Sequence, residues 1–269
     1  MSATVYRFEL RSKLKSAIIW SLAITAIILT YFSLFPSLAK EAALMREAMD
    51  QMPPELLAAF GMTGVDLSTV MGFYSFVFLF AQVLLAIQAS NYGFGLVSVE
   101  EADMTADFLL TKPLTRFQIL TSKLLAAFTA LTLTNAIVWL SSFLFITLFR
   151  DGREYDLHTL LLLLASIAIF QLFFLSVGLL ISLLVRRIRN VTPYALGLAF
   201  GMYLLGAFSG MGGDVKLELI TPFKHFDANA IIRTGAYDLP LVMISVAVIL
   251  IALAGSYWRY LHRDIPAVA

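Results

Sequence analysis

Six stretches of this chain contain no Asp, Glu, Lys, Arg or His: Ala17–Phe35, Gly72–Val97, Leu124–Phe149, Thr159–Val185, Val191–Met211 and Leu239–Trp258. A hydrocarbon core about 30 Å thick takes roughly 20 apolar residues in a helix. In lipid, backbone N–H and C=O groups must pair within their own segment, so a run of this kind crosses as a helix. Composition agrees. Sixty per cent of the 269 residues are hydrophobic and 14% are charged, against about 45–50% and 25% in soluble domains. We therefore expect an all-α, polytopic membrane protein whose six transmembrane helices make one domain over 1–269.

The first run follows Arg11, Lys13 and Lys15 and stands before Ser37-Leu38-Ala39, which resembles a leader and its cleavage site. Its apolar core exceeds the roughly 7–15 residues usual in a leader, so we read it as an anchor. Cysteine is absent, which removes disulfides and thiolate metal sites. Net charge is only +1, and nothing points to nucleic acid as a partner.

Orientation is read from the 19 lysines and arginines. Segments 1–16, 98–123, 186–190 and 259–269 hold 12 of the 19, the tightest group being Arg186-Arg187-Ile188-Arg189. Segments 36–71, 150–158 and 212–238 hold the other 7 over a greater length. The positive-inside rule places the first set, with both termini, in the cytoplasm of a cell-membrane protein. Of the three tryptophans only Trp258 reads as an interface anchor.

The connecting segments carry their own patterns. Tyr6, Leu10 and Leu14 are four apart among Arg7, Arg11, Lys13 and Lys15, which predicts an amphipathic helix along the membrane surface, in contact with lipid. Leu38, Ala42, Met45, Met49 and Met52 form one helical stripe, ended by Pro53-Pro54, with a second short helix Glu55–Phe60 capped by Gly61. Thioethers suit Cu(I), but an apolar packing face explains these methionines better, and no metal site is assigned. Residues 212–238 are too polar to span and predict short helices or a partial re-entrant hairpin, with His225 on the solvated surface.

Function narrows by what is missing. No phosphate-cradling GxxxxGK[ST] loop, HExxH pair or GxSxG elbow occurs, so we expect neither an ATPase nor another enzyme, with no catalytic residue and no cofactor bound by this chain. Ion-coupled carriers use charges within their spans, and these runs have none. Their polar residues include Gln82, Gln88, Asn91, Asn135 and Gln171, whose default role is interhelical hydrogen bonding. Gln82, Gln88, Asn91 and Asn135 are also candidates to line a transport path. Gly197, Gly201, Gly206 and Gly210 are spaced as two GxxxG steps and mark the fifth run for close packing, within the subunit or across a dimer.

Segment 98–123, between the second and third runs, is too long for a hairpin. Glu100–Leu110 reads as a short helix with its carboxylates at the favourable N-terminal end, Met104 and Phe108 making an apolar knob. Pro113 stops it, and Thr115 caps the helix that becomes the third span. A charged helix with an apolar knob suits docking in a groove on a soluble partner; a partnerless helix at headgroup level is the plainer alternative.

The residues Glu100, Glu101, Thr105, Leu109, Leu110, Pro113, Arg116 and Lys123 resemble the loop of ABC-2 type bacterial ABC transporter permeases, where acidic residues precede Gly-Thr-x-x-x-Leu-Leu-x-x-Pro-x-x-Arg and a lysine opens the third span. Met104 stands where glycine is usual. Six spans, a basic N-terminus, a long first outer loop and Pro222-Phe223-Lys224-His225-Phe226 extend the similarity. The resemblance implies one of two permease subunits, homo- or heterodimeric, working with two copies of a separate ATP-binding subunit that carries ATP and Mg. It implies that Glu100, Glu101, Asp103, Thr105, Asp107, Phe108, Lys112, Pro113 and Arg116 couple to that ATPase, and that the machine exports. A membrane scaffold without a transport path and an ATP-independent channel remain alternatives; the substrate is not readable.

Overall fold

The computed structural model describes residues 2–102, 114–185, 188–209 and 216–262. Its long helices are α1 (Ala3–Lys40), α4 (Val70–Ala102), α5 (Arg116–Phe149), α6 (Leu157–Leu184), α7 (Val191–Ala207) and α10 (Leu239–His262). Short helices α2 (Ala42–Asp50) and α3 (Pro54–Ala59) come after α1. A 3₁₀ turn (Leu217–Leu219), α8 (Pro222–His225) and α9 (Ala228–Thr234) precede α10. Five of the long helices are long and apolar enough to cross a membrane, and α7 is apolar but only 17 residues. At about 25 Å it falls short of the hydrocarbon thickness. The chain is a multi-pass, all-helical membrane protein.

The bundle is organised around α4 and α6, the most buried of the long helices. They run parallel and touch where both are glycine: a Cβ on Gly93 would lie 2.3 Å from the Leu175 carbonyl oxygen, and one on Gly178 would lie 3.2 Å from that of Ser90. No side chain fits there, so backbone meets backbone. Helix α1 packs along α5 on one flank, α7 against α4 and α10 against α6 on the other. An aromatic cluster of Phe32, Phe35, Phe73, Tyr74 and Phe78 fills the half remote from the termini. There Arg153 donates to the carbonyls of Ala39 and Ser68 at 3.0 Å each and covers the Phe35 ring, tying α1 to the start of α4.

Three expectations change. Residues 5–15 are helical, but they continue without a break into the first span rather than forming a separate surface helix. Nothing between Lys15 and Ala17 interrupts hydrogen bonding, and α1 reaches about 57 Å. Helix α7 ends at Ala207, before the Met211 expected, with Phe208 as its cap. His225, expected at the surface, is 2% exposed.

The cause of that burial is a re-entrant segment. Pro222 starts α8 behind the Thr221 cap, and the Thr221 hydroxyl also donates to the Met202 carbonyl at 2.6 Å. Phe223 and Phe226 then wedge against Phe170 of α6, rings 5.1 Å and 6.4 Å apart. Gln82 donates to the Phe226 carbonyl at 3.0 Å, roughly three turns inside α4. His225 Nδ1 pairs with Ser245 Oγ at 2.6 Å while Nε2 has no hydrogen-bond partner among the described residues. Burial holds this imidazole below its ordinary pKa, although the Leu219 and Glu218 carbonyls and Asp238 favour its charged form. Polarity and short apolar pieces were visible in the sequence here; the depth depends on a partner, Gln82, far away in the chain.

Candidate functional site

The site is the pair of helix ends from which segment 98–123 leaves the bundle. Helix α4 continues through Glu100 and Glu101, so these positions belong to it rather than opening a separate helix. No proline or glycine stands between Leu96 and Ala102 to stop it. Asp103, Thr105, Asp107, Phe108, Lys112 and Pro113 lie outside the described residues. The exit is as expected: Thr115 accepts from the Gln118 backbone at 3.2 Å and Gln118 accepts from the Thr115 backbone at 3.1 Å, a reciprocal capping box.

Lys123 joins the two roots. Two turns into α5 and 2% exposed, its ammonium donates to the Leu96 carbonyl of α4 at 2.7 Å. Glu9 of α1 stands 3.6 Å away, and Lys13 reaches the other Glu9 oxygen at 2.8 Å. A buried ammonium needs both a counter-charge and acceptors, and here neighbouring helices supply them. The Ser2 backbone N–H donates to Ser122 Oγ at 2.8 Å, and Tyr6 pairs with Thr129 at 3.0 Å, so the whole first part of α1 is laid on α5.

Helix α5 also holds the C-terminal helix. Arg116 Nη1 reaches two carbonyls of α10, Tyr260 at 3.4 Å and Leu261 at 3.5 Å. Thr121 pairs with the Tyr257 hydroxyl at 2.8 Å, and Phe117 packs on the Tyr257 ring. These bonds give Arg116 a structural reason to sit at this point. A displacement of the segment would thus be felt by α1, α4, α5 and α10 together. Sequence reasoning found Arg116 and Lys123 but missed Glu9. The only signal for Glu9 was an acidic residue alone among four basic ones.

A model of ABC-2 family transporter proteins matches residues 3–265. The chain belongs to that family. No curated protein matches it. Within this ABC-2 permease the polar residues singled out for the membrane interior take different positions. Gln88 is buried, donating to Thr134 of α5 at 2.8 Å and accepting from Gln171 of α6 at 3.3 Å, the interhelical role expected of it. Gln82 holds the re-entrant segment, Asn91 is half-buried on α4, and Asn135 is half-buried on α5.

The glycines of α7 separate into two kinds. A Cβ on Gly197 or Gly201 would meet nothing within 4 Å, so neither makes a close contact inside this subunit. On Gly206 it would lie 3.3 Å from Phe223 Cβ, the near approach that admits the re-entrant segment. Gly210 lies outside the described residues. The tight helix pair of the ABC-2 permease is instead Gly93 with Gly178, two isolated glycines on different helices and without a repeat to reveal them.

Proposed function

We propose that this ABC-2 permease works as one half of a transmembrane dimer, exporting its substrate under the drive of a separately encoded ATP-binding subunit present in two copies. Segment 98–123 is the contact with that subunit, through Glu100, Glu101, Asp103, Asp107, Phe108 and Arg116. The observation that carries the reading is the Lys123 junction, which binds both roots of the segment to α1. A two-state motion needs contacts that differ between states; a segment clasped at both ends transmits a push to the helices, whereas a slack linker absorbs it. In this arrangement ATP and Mg bind the partner, both termini lie in the cytoplasm, and the open Gly197 and Gly201 face of α7 meets the second permease subunit.

Purification of the tagged chain from native membranes, with identification of every co-purifying chain, tests this. An ATP-binding subunit at two copies per permease pair is expected. A permease recovered without any ATPase under gentle extraction contradicts the proposal.

A further inference from the structure

Between α5 and α6, which touch only sparsely, lies an apolar groove of about 620 Å³. Its floor is the end of a hydrogen-bond chain that starts at Thr134. Thr134 donates its hydroxyl proton to the Ala130 carbonyl, so it can only accept from Gln88. Gln88 must therefore point its amide N–H₂ at Thr134 and its oxygen at Gln171. Gln171 must answer with its own N–H₂, which also faces the Leu85 carbonyl at 3.5 Å. What remains is Gln171 Oε1, on a residue that lines the groove with its side chain 1% exposed, and without a hydrogen-bond partner among the described residues.

Asn135 Oδ1, on the facing wall, is a second buried acceptor without a partner. Two donors nearby are committed: Trp139 Nε1 to the Leu164 carbonyl and Thr132 Oγ1 to that of Phe128. Both free acceptors lie about four turns from the helix ends remote from the termini. At that depth in hydrocarbon an unmet acceptor is costly, and a phospholipid acyl chain has no donor to offer.

We infer that this groove is a binding site for a lipid-phase molecule with a long apolar body and a single hydroxyl donor, which enters sideways from the bilayer and donates to Gln171 Oε1. The apolar walls take the body, and the one acceptor pair sets orientation, the usual division of labour in a ligand site.

Trp139 lines the groove beside Asn135 and reports on it. In the full-length Trp20→Phe/Trp258→Phe chain reconstituted in lipid nanodiscs, Trp139 fluorescence is titrated with 11-bromoundecan-1-ol and with its methyl ether, each corrected for partitioning. The alcohol should quench saturably at a concentration about fivefold lower than the ether, the worth of one net hydrogen bond. Gln171→Leu should bring the two probes together. Ala168→Phe, which fills the groove from an exposed position and leaves the amide chain untouched, should abolish saturable quenching by either. Equal quenching by both probes in the parent shows a hydrocarbon-filled crevice and overturns the site. Absence of quenching by both shows the groove covered by another protein segment or a second copy, and overturns it equally.

Discussion

Replacing Lys123 by methionine keeps the length and apolar stem of the side chain and removes its ammonium. The interactions lost include the 2.7 Å bond to the Leu96 carbonyl and the approach to Glu9 at 3.6 Å. A hydrogen bond to a charged group contributes about 1.5–3 kcal/mol. Breaking a buried pair costs about 3–5 kcal/mol when the survivor is left alone. Glu9 is not left alone, because Lys13 stays at 2.8 Å, so the loss belongs at the lower end, about 3 kcal/mol in all. A thermal melt of the purified permease should fall by roughly 6–12 °C, at about 2–4 °C per kcal/mol for a chain of this size. Glu9→Gln removes the charge that Lys123 faces, so the double variant should melt higher than the sum of the two losses, with a coupling of about 1–2 kcal/mol. A Lys123→Met melt within about 2 °C of the parent, or strictly additive losses, would refute the junction as an energetic link between α1, α4 and α5.

The same geometry makes other outcomes testable. Gly93→Ala drives a methyl into the Leu175 carbonyl and should destabilise by about 3 kcal/mol or more; Gly201→Leu, which meets nothing, should fold normally and fail only in assembly with a second subunit, read by melting and by size in detergent. In intact cells, Ser12→Cys and Asn190→Cys should react only with a membrane-permeant thiol reagent, and Glu55→Cys with an impermeant one; the reverse pattern would invert the orientation. Because burial favours the neutral form of His225, its contribution to stability is present above the unfolded value near about 6.5 and is lost as pH falls through the lower folded value. Melting temperature should therefore drop below that pH in the parent, and His225→Gln should flatten the decline; an unchanged slope would show that another group governs it.

What was legible in the sequence was whatever depends on local pattern. Charge-free length found each apolar helix, and Asp156, Asn190 and Thr115 cap α6, α7 and α5 by side-chain bonds to residues just beyond them. Thr115 was visible beforehand because the proline before it stops one helix and leaves a cap for the next. Features set by contacts distant in the chain were not visible. Glu9 reads as surface until Lys123 is brought to it, and His225 reads as loop until Phe223 and Phe226 carry it inward. Glu100 and Glu101 were misread for a different reason: acidic residues suggest a helix start, yet an unbroken run without glycine or proline simply extends α4 through them.

Under the proposal that segment 98–123 docks on an ATP-binding subunit, Phe108 is the apolar anchor of the contact. The direct measurement is the affinity of the partner ATP-binding subunit for permease in nanodiscs, parent against Phe108→Ala. Truncating a buried interface anchor costs about 2 kcal/mol or more, so binding should weaken roughly 30-fold while the variant still inserts and melts like the parent. Glu101→Lys should weaken it in a way that depends on salt, as charges at an interface rim do. Affinity for Phe108→Ala equal to that of the parent, at low and at high salt, would contradict the claim that this segment is where the ATPase docks.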